Sequence, residues 1–372
     1  MNWLIVTGDF QRTGGQERAN FELASFLGTR PGNTVHLVGH DFSSDLEGNP
    51  AVVLHRVPRL ARSDLLGERA LAYEASRVLG EMGARPIVIS NGGNFLSGDV
   101  TWVHCVHAFW PTAPFHPPLR ARLTAEIAKR NARKRELVAF RRARAIIANS
   151  DKTRAHLLSL GIDASKVARV YFGTTVSELP ARPKKKMLIF VGALGWDRNK
   201  GLDRLLGALR LLVRRPGFDH SLRIIGVGED RPWRRMVDRL GLGGRVQFHG
   251  RVEDVRPALQ ESELLVSPSR YEAYGLAVQD ALIQGVPALV TRTAGIAERY
   301  PRALAHLLVD NTDSPEVWAN AISSALSNLE RTVSVVRQFA SELCRRTWST
   351  MSEEIEFEVK ARLKVDSLTA QK

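Results

Sequence analysis

With 372 residues the chain is long enough for two or three domains at roughly 150 residues each, and it can bury a large core without a disulfide scaffold. Its two cysteines, Cys105 and Cys344, are too few and too far apart in sequence for a disulfide framework or a four-ligand zinc site and point to a reducing, cytoplasmic setting. The excess of 53 Lys plus Arg over 39 Asp plus Glu, a net charge of +14, favours an anionic partner, be it nucleic acid, a phospholipid surface or a phosphorylated small molecule.

The opening segment NWLIVTG reads as a buried strand, and its apolar run Trp3–Val6 is far short of a signal-peptide core or the roughly 20 residues of a membrane span. A loop with Gly14 and Gly15 follows, then a helix of period 3.6 in QERANFELASFLG and the strand TVHLVG, which together form a β-loop-α-β unit. PIVISNGG, DVTWVHCVHAFW and AIIANS continue the alternation with apolar runs suited to parallel strands. The proline-rich FWPTAPFHPPL between them is expected to be irregular. Arg120 to Ala145 carries ten cations against Glu126 and Glu136, and helical spacing turns Leu123, Ile127, Leu137 and Phe140 inward. The cationic face is either a solvated surface or one that meets an anionic membrane or acceptor.

At SELPARPKKK, prolines and cations interrupt the pattern, and the alternation then restarts with MLIFVGAL, GLDRLLGALRLLV, SLRIIGVG, RVQFHG, ELLVSP, PALV and LAHLLV. The predicted architecture is α/β, with two Rossmann-like doubly wound domains, residues 1–177 and 178–345, facing across a cleft. Residues 346–372 form a helix that packs back across them. Open parallel sheets bind ligands beyond the carboxyl ends of their strands, and every loop of interest here follows a strand.

VGALGWDRNKGLDRLL places Arg198 and Lys200 just before a helix start, a receptor for phosphate, although it is not a Walker A loop because Lys200 precedes the glycine. Gly226 and Gly228 in RIIGVGEDR lack the third glycine of a dinucleotide fingerprint, so a turn is the better reading. His104 and His107 stand three apart around Cys105. On a continuous strand they would point to opposite faces, no further ligand is evident for a metal, and one of the two is expected to reach a substrate. Glu272 and Asp280 flank an exposed-looking Tyr274-Gly275 at the start of a helix. They suit a glycosidase pair on composition alone, the hydroxyl-rich ends of a nucleotide sugar, or a cap and a surface acid.

PSRYEAYGLAVQDALIQGVPALVTRTAGIAE resembles the donor-site segment of the GT-B retaining glycosyltransferases of family 4, also called group 1. GGQERANFELASFL, VGALGWDRNKGLDRLL, LRIIGVGED and VQFHGRVED fall in the same order as that family's glycine loop, phosphate loop and following strands. The resemblance implies transfer of a sugar from a nucleotide-sugar donor, with retention of configuration and no cofactor or metal, to a glycan or a lipid-linked envelope precursor. Arg198 and Lys200 would hold the diphosphate. Glu272 and the backbone at Tyr274, Gly275 and Leu276 would hold sugar and phosphate, and Asp280 the ribose. Gly14 and Gly15 would approach the acceptor or diphosphate, and His107, or else His104, would stand near the transferring sugar. Asp280 is one methylene shorter than the family's second acid, and Ala193 replaces its frequent arginine.

Two rival readings are a nucleotide-sugar epimerase of the same fold and a non-enzymatic protein that binds nucleic acid or a membrane surface. Nucleic acid is disfavoured because Arg120–Arg144 contains only Phe140 as an aromatic. The expected location is cytoplasmic, with peripheral attachment at the inner face of the cell membrane through Arg120–Arg144.

Overall fold

The computed structural model describes residues 1–59, 64–111, 119–175, 182–195 and 198–364. Much of the proline-rich stretch, residues 176–181 of the interdomain segment, Trp196, Asp197 and the side chains of Arg120, Arg122 and Leu123 lie outside them. The chain divides into two compact units: Met1–Phe109 with Arg120–Gly173 and Arg346–Lys372, and Trp110–Leu119 with Thr174–Arg345.

Unit 1 runs in chain order β1 (Asn2–Val6), β2 (Asp9–Phe10), α1 (Gln16–Thr29), β3 (Thr34–Gly39), β4 (Asp41–Phe42), α2 (Ser44–Glu47), β5 (Val52–Arg56), α3 (Asp64–Glu81), β6 (Ile87–Asn91), β7 (Val100–Val103), α4 (Leu119–Arg142), β8 (Ala145–Ala148), α5 (Asp151–Ser159) and β9 (Val167–Arg169). Seven of the strands form one parallel sheet in the order β5-β3-β1-β6-β7-β8-β9. The apolar runs are central strands because they are covered on both faces: Trp3, Leu4, Ile5 and Val6 are fully buried. On one side Leu4, Val6 and Val88 pack with Leu71, Ala75 and Val78 of α3. At the other end of the sheet, Val103, Ile146 and Ala148 pack with Phe140 and Leu157.

Unit 2 runs β10 (Met187–Val191), α6 (Leu202–Leu212), β11 (Ser221–Ile225), α7 (Arg231–Arg239), β12 (Val246–Phe248), α8 (Arg256–Gln260), β13 (Leu264–Ser267), α9 (Leu276–Ile283), β14 (Ala288–Thr291), β15 (Leu308–Val309), α10 (Pro315–Ser327) and α11 (Leu329–Cys344). Its parallel sheet has the order β12-β11-β10-β13-β14-β15, the strand order of a Rossmann sheet. In both units the strand order reverses beside the first strand, between β1 and β6 and between β10 and β13. The loops leaving those strands are therefore where such a sheet receives a ligand.

The last helix, α12 (Trp348–Leu363), returns to unit 1, where it lies along α1. A Cβ on Gly173 would fall 2.5 Å from the Trp348 backbone, so only glycine admits the start of α12 there. Thr347 caps the helix, its Oγ1 accepting from the Thr350 amide at 3.1 Å. Arg30 pairs with Glu356 at 3.3 Å, and Arg144 donates to the Leu363 carbonyl at 3.0 Å.

Two expectations are corrected. Ile127 is 62 % exposed, and among the described side chains of α4 only Glu136, Ala139 and Phe140, near its C-terminal end, are buried. The strand expected at LAHLLV shrinks to Leu308–Val309, since Leu304 and Leu307, three apart and fully buried, adopt the three-residue period of the 3-10 turn Arg302–Leu307.

Candidate active site

In unit 2 the loop after β10 is clamped against the loop after β11. Gly192 donates to the Ile225 carbonyl at 3.0 Å and Leu194 to the Val227 carbonyl at 2.8 Å. A Cβ on Gly226 would sit 1.8 Å from the Gly192 oxygen, so this glycine permits a close backbone contact. Arg198 then takes φ +51, a left-handed conformation uncommon for a residue with a side chain, and its guanidinium lies 3.6 Å from Asp203. Gly201, at φ +74, opens α6 so close to β13 that a Cβ would meet the Pro268 oxygen at 2.1 Å.

That closeness joins the two loops. Asn199, buried, donates to the Tyr271 carbonyl and accepts from the Tyr271 amide, both at 3.0 Å. Arg270 donates to the Arg198 carbonyl at 2.7 Å and grips both oxygens of Asp203 at 2.9 and 2.8 Å. Arg204 binds Asp313, Asn311 and the Pro268 carbonyl at 2.7, 2.9 and 3.0 Å. None of these partners is legible in sequence, since each is joined to a residue far along the chain.

On this platform Lys200 meets Glu272, Nζ to Oε2, at 2.7 Å, and both side chains are largely covered, 30 % and 17 % exposed. Ser269 donates to the same carboxylate oxygen at 3.4 Å. Gly275, at φ +117, begins α9, and no side chain caps that helix. The turn is fixed from below, with Gly295 donating to the Glu272 carbonyl at 3.1 Å and Ile296 to the Tyr274 carbonyl at 2.7 Å.

Tyr274 itself is 2 % exposed, which corrects the expectation of an exposed Tyr274-Gly275. Its ring anchors the turn, with the hydroxyl bonded to Gln279 and accepting from Arg299 at 2.9 Å, so only its backbone is available to a ligand. Leu276 and Asp280 share a half-buried face of α9 one turn apart. Asp280 lies within electrostatic reach of Arg256, which Asp254 holds at 2.9 Å.

In unit 1, Gly14 (φ +98) precedes α1, and the Gly15 amide donates to Glu17 Oε2 at 3.1 Å. A Cβ on Gly14 would come within 2.5 Å of that oxygen. The chain's own carboxylate thus occupies the amide expected to meet a ligand. The loop's base is set by Asn20 and Asn91, both donating to Thr7 Oγ1 at 2.9 Å.

The two histidines separate sharply. β7 stops at Val103, so strand alternation does not govern them. His104 is stacked on Phe172 at 5.5 Å with both ring nitrogens shut from solvent, and burial drives its pKa down to about 3. His107 opens a 3-10 turn, and its ring is 35 % exposed. Its Nδ1 lies 2.6 Å from Glu136 Oε1 and 3.8 Å from Cys105 Sγ, while its amide donates to Glu136 Oε2 at 2.9 Å. Burial opposes a charge there, but the hydrogen bonds to Cys105 and Glu136 outweigh it and raise the His107 pKa well above the usual value. Glu136 is a residue the sequence reading missed. In sequence it is one more charge of a basic helix, and its partner His107 is brought beside it only by folding. It also corrects the expectation that no third metal-binding side chain stands near His107 and Cys105.

Residues 13–178 match Glycosyltransferase Family 4 and residues 185–328 match Glycosyl transferases group 1. A D-inositol 3-phosphate glycosyltransferase of Corynebacterium urealyticum is 27 % identical over 180 residues, covering 46 % of this chain and 42 % of its own length. A GDP-mannose-dependent alpha-(1-6)-phosphatidylinositol dimannoside mannosyltransferase of Mycobacterium tuberculosis is 31 % identical over 154 residues, 41 % of this chain and 38 % of its own length. The matched stretches therefore span about two fifths of these curated relatives. Among solved structures, WaaG, a glycosyltransferase involved in lipopolysaccharide biosynthesis, superposes with a TM-score of 0.77 over 97 % of this chain and 99 % of its own, at 18 % identity. Anabaena HepE in complex with UDP-glucose gives 0.73 over 97 % and 100 %, at 17 % identity. Each half of the sequence matches a glycosyltransferase family and each unit carries a Rossmann-like parallel sheet, so the chain belongs to the GT-B glycosyltransferases of family 4, group 1.

Proposed function

We propose that the protein transfers a sugar from a nucleotide-sugar donor to an acceptor hydroxyl with retention of anomeric configuration. The observation that carries this reading is the Lys200–Glu272 pair, set at the strand-order reversal of unit 2 beside the uncapped start of α9. Without a ligand the two side chains neutralise each other. A donor offers each a better partner: the diphosphate recruits Lys200, with Arg198 beside it, and the sugar hydroxyls donate to Glu272. The α9 amides face the phosphate, and Asp280, one turn on, accepts from the ribose hydroxyls.

In the transfer, the acceptor oxygen forms its bond to the sugar's anomeric carbon on the face the nucleotide leaves. The bond from that carbon to the phosphate oxygen breaks, and the departing phosphate takes the acceptor's proton. The products are the new glycoside and a nucleoside diphosphate. The demand on the protein is to stabilise negative charge growing on the leaving diphosphate, which two cations and a helix start supply, and no metal is asked for. His107, held by Glu136, would donate to a sugar hydroxyl, and the Gly14-Gly15 loop would serve the acceptor side, with Glu17 giving way to an incoming anion.

Phosphatidylinositol dimannoside and lipopolysaccharide stand in the names of two similar proteins. Together with the exposed cations of α4 they support a lipid-linked envelope precursor as acceptor and peripheral attachment to an anionic membrane. No described helix is long and apolar enough to cross one.

Calorimetric titration with UDP-, GDP- and ADP-sugars, followed by NMR of the product's anomeric coupling, tests the reading. One donor should bind and yield the anomer it began with. An inverted product overturns retention, and binding of none overturns the transferase reading.

A further inference from the structure

Cys105, His107 and Glu136 bring a thiol, an imidazole and a carboxylate to one point, their ligating atoms within 4.8 Å of one another. The set is drawn from the turn after β7 and from α4, two elements joined twice more at the same place. The His107 amide donates to Glu136 Oε2 at 2.9 Å, and Arg133 of α4 donates to the His107 carbonyl at 2.9 Å. We propose that these three side chains form a binding site for a thiophilic divalent cation, Zn²⁺ first, that competes with the His107–Glu136 hydrogen bond.

The donor set suits that ion. A thiolate, an imidazole and a carboxylate are its three ligand types, and three protein ligands with one open position make a four-coordinate site. Tetrahedral bonds of the usual lengths separate ligand atoms by about 3.3 to 3.6 Å. Cys105 Sγ and His107 Nδ1 already stand 3.8 Å apart. The nitrogen and Glu136 Oε1, at 2.6 Å, need to part by about 0.7 Å, a small rotation of the carboxylate. Through that rotation Oε2 can keep the His107 amide, the kind of outer hydrogen bond that orients a ligating carboxylate. The ring of His107 is 35 % exposed, which leaves an approach for the ion and for a water in the fourth position. Gly92 and Gly93 make room behind the helix, since a Cβ on Gly93 would lie 2.8 Å from Arg135 Cβ and one on Gly92 3.3 Å from Glu136.

Occupation replaces the hydrogen bond from His107 Nδ1 to Glu136, which holds the ring, with a bond to the ion, so the ion inhibits transfer. That clause rests on the transferase reading, whereas binding of the ion does not.

The test uses the full chain with Zn²⁺ in competition with a chromophoric chelator, and Co²⁺ as a spectroscopic stand-in. Wild type should take up one ion and show thiolate-to-cobalt charge-transfer absorption. Cys105→Ser should bind at least tenfold more weakly and lose the absorption, and Cys344→Ser should behave as wild type. An absorption that survives in Cys105→Ser, or affinity equal in it and wild type, overturns the site. Should Cys105→Ser fold poorly, wild type alone decides: Zn²⁺ should slow alkylation of Cys105 by iodoacetamide at least tenfold, and an unchanged rate overturns the proposal. Transfer should fall with Zn²⁺ in wild type and hold in Cys105→Ser. Insensitive transfer beside confirmed binding overturns the inhibitory role of the ion and leaves the site standing.

Discussion

Lys200 and Glu272 are 72 positions apart in the chain and 2.7 Å apart in space, and their pairing sets opposite expectations for their removal. On the proposed reading, Lys200→Ala takes away a charge-assisted hydrogen bond to the donor phosphate and leaves a mostly covered carboxylate without its cation. Affinity for nucleoside diphosphate and for the whole donor should fall together, by about 10- to 100-fold. Glu272→Ala releases Lys200 from its internal partner, so diphosphate affinity should hold or rise while sugar transfer drops by a similar factor. Titration of both variants with the diphosphate and the full donor separates these outcomes, and a diphosphate loss in Glu272→Ala would remove the assigned division of labour. On the same reading, Glu17 at the Gly15 amide would be a second side chain that gives way to an incoming anion.

The helix α4 has two parts with different work. Its C-terminal turns are structural: Ala139 and Phe140 are buried, and Arg135 reaches Glu68 at 3.0 Å and the Gly93 carbonyl at 2.8 Å. Ile127, Arg130, Lys134, Val138 and Arg141 recur at helical spacing on an exposed face that mixes cations with apolar side chains. On the proposed membrane reading, such a face would adsorb to anionic lipid through its charges and its apolar side chains together. Flotation should recover the protein with anionic but not zwitterionic vesicles, decline with salt, and weaken about tenfold in Ile127→Glu. Indifference to lipid charge would defeat the membrane reading. The sequence showed α4 as a basic helix and misjudged Ile127, because periodicity ranks positions around a helix without saying how much of its length is packed. The same limit shortened β15, where Leu304 and Leu307 fit a strand or a tight turn equally well in one dimension. By contrast, Trp3–Val6 and Met187–Val191 were legible as central strands, since an unbroken apolar run has few other places to go. In the candidate site the glycines, Lys200, Glu272 and Asp280 could be picked out from local pattern. Asn199, Arg204, Arg270 and Glu136 could not, because their meaning lies in partners that only folding brings near.

At the scale of the whole molecule, stability carries the mark of His104. Its folded pKa is depressed to about 3 by burial, so its contribution is present above the unfolded value and lost as pH falls below about 6.5, where the unfolded chain takes up a proton that the folded one refuses. The loss reaches about 2 kcal/mol at about pH 5. His156, lowered to about 4 by burial and then by Lys152, adds to it with the same sign. His104→Phe, an aromatic ring between Trp102 and Phe172, should flatten the decline between about pH 7 and 5 by about 2 kcal/mol in urea unfolding. An unchanged slope would mean that the ring finds water in the native state. The return of α12 to unit 1 has a further consequence, for synthesis. Domains tend to fold as they leave the ribosome, the first one first. Here unit 1 lacks the helix that lies on α1 until Trp348–Leu363 emerges, after every strand of unit 2 has been made. The half that is begun first is the half that is finished last, and through most of translation its α1 surface waits uncovered for a segment not yet written.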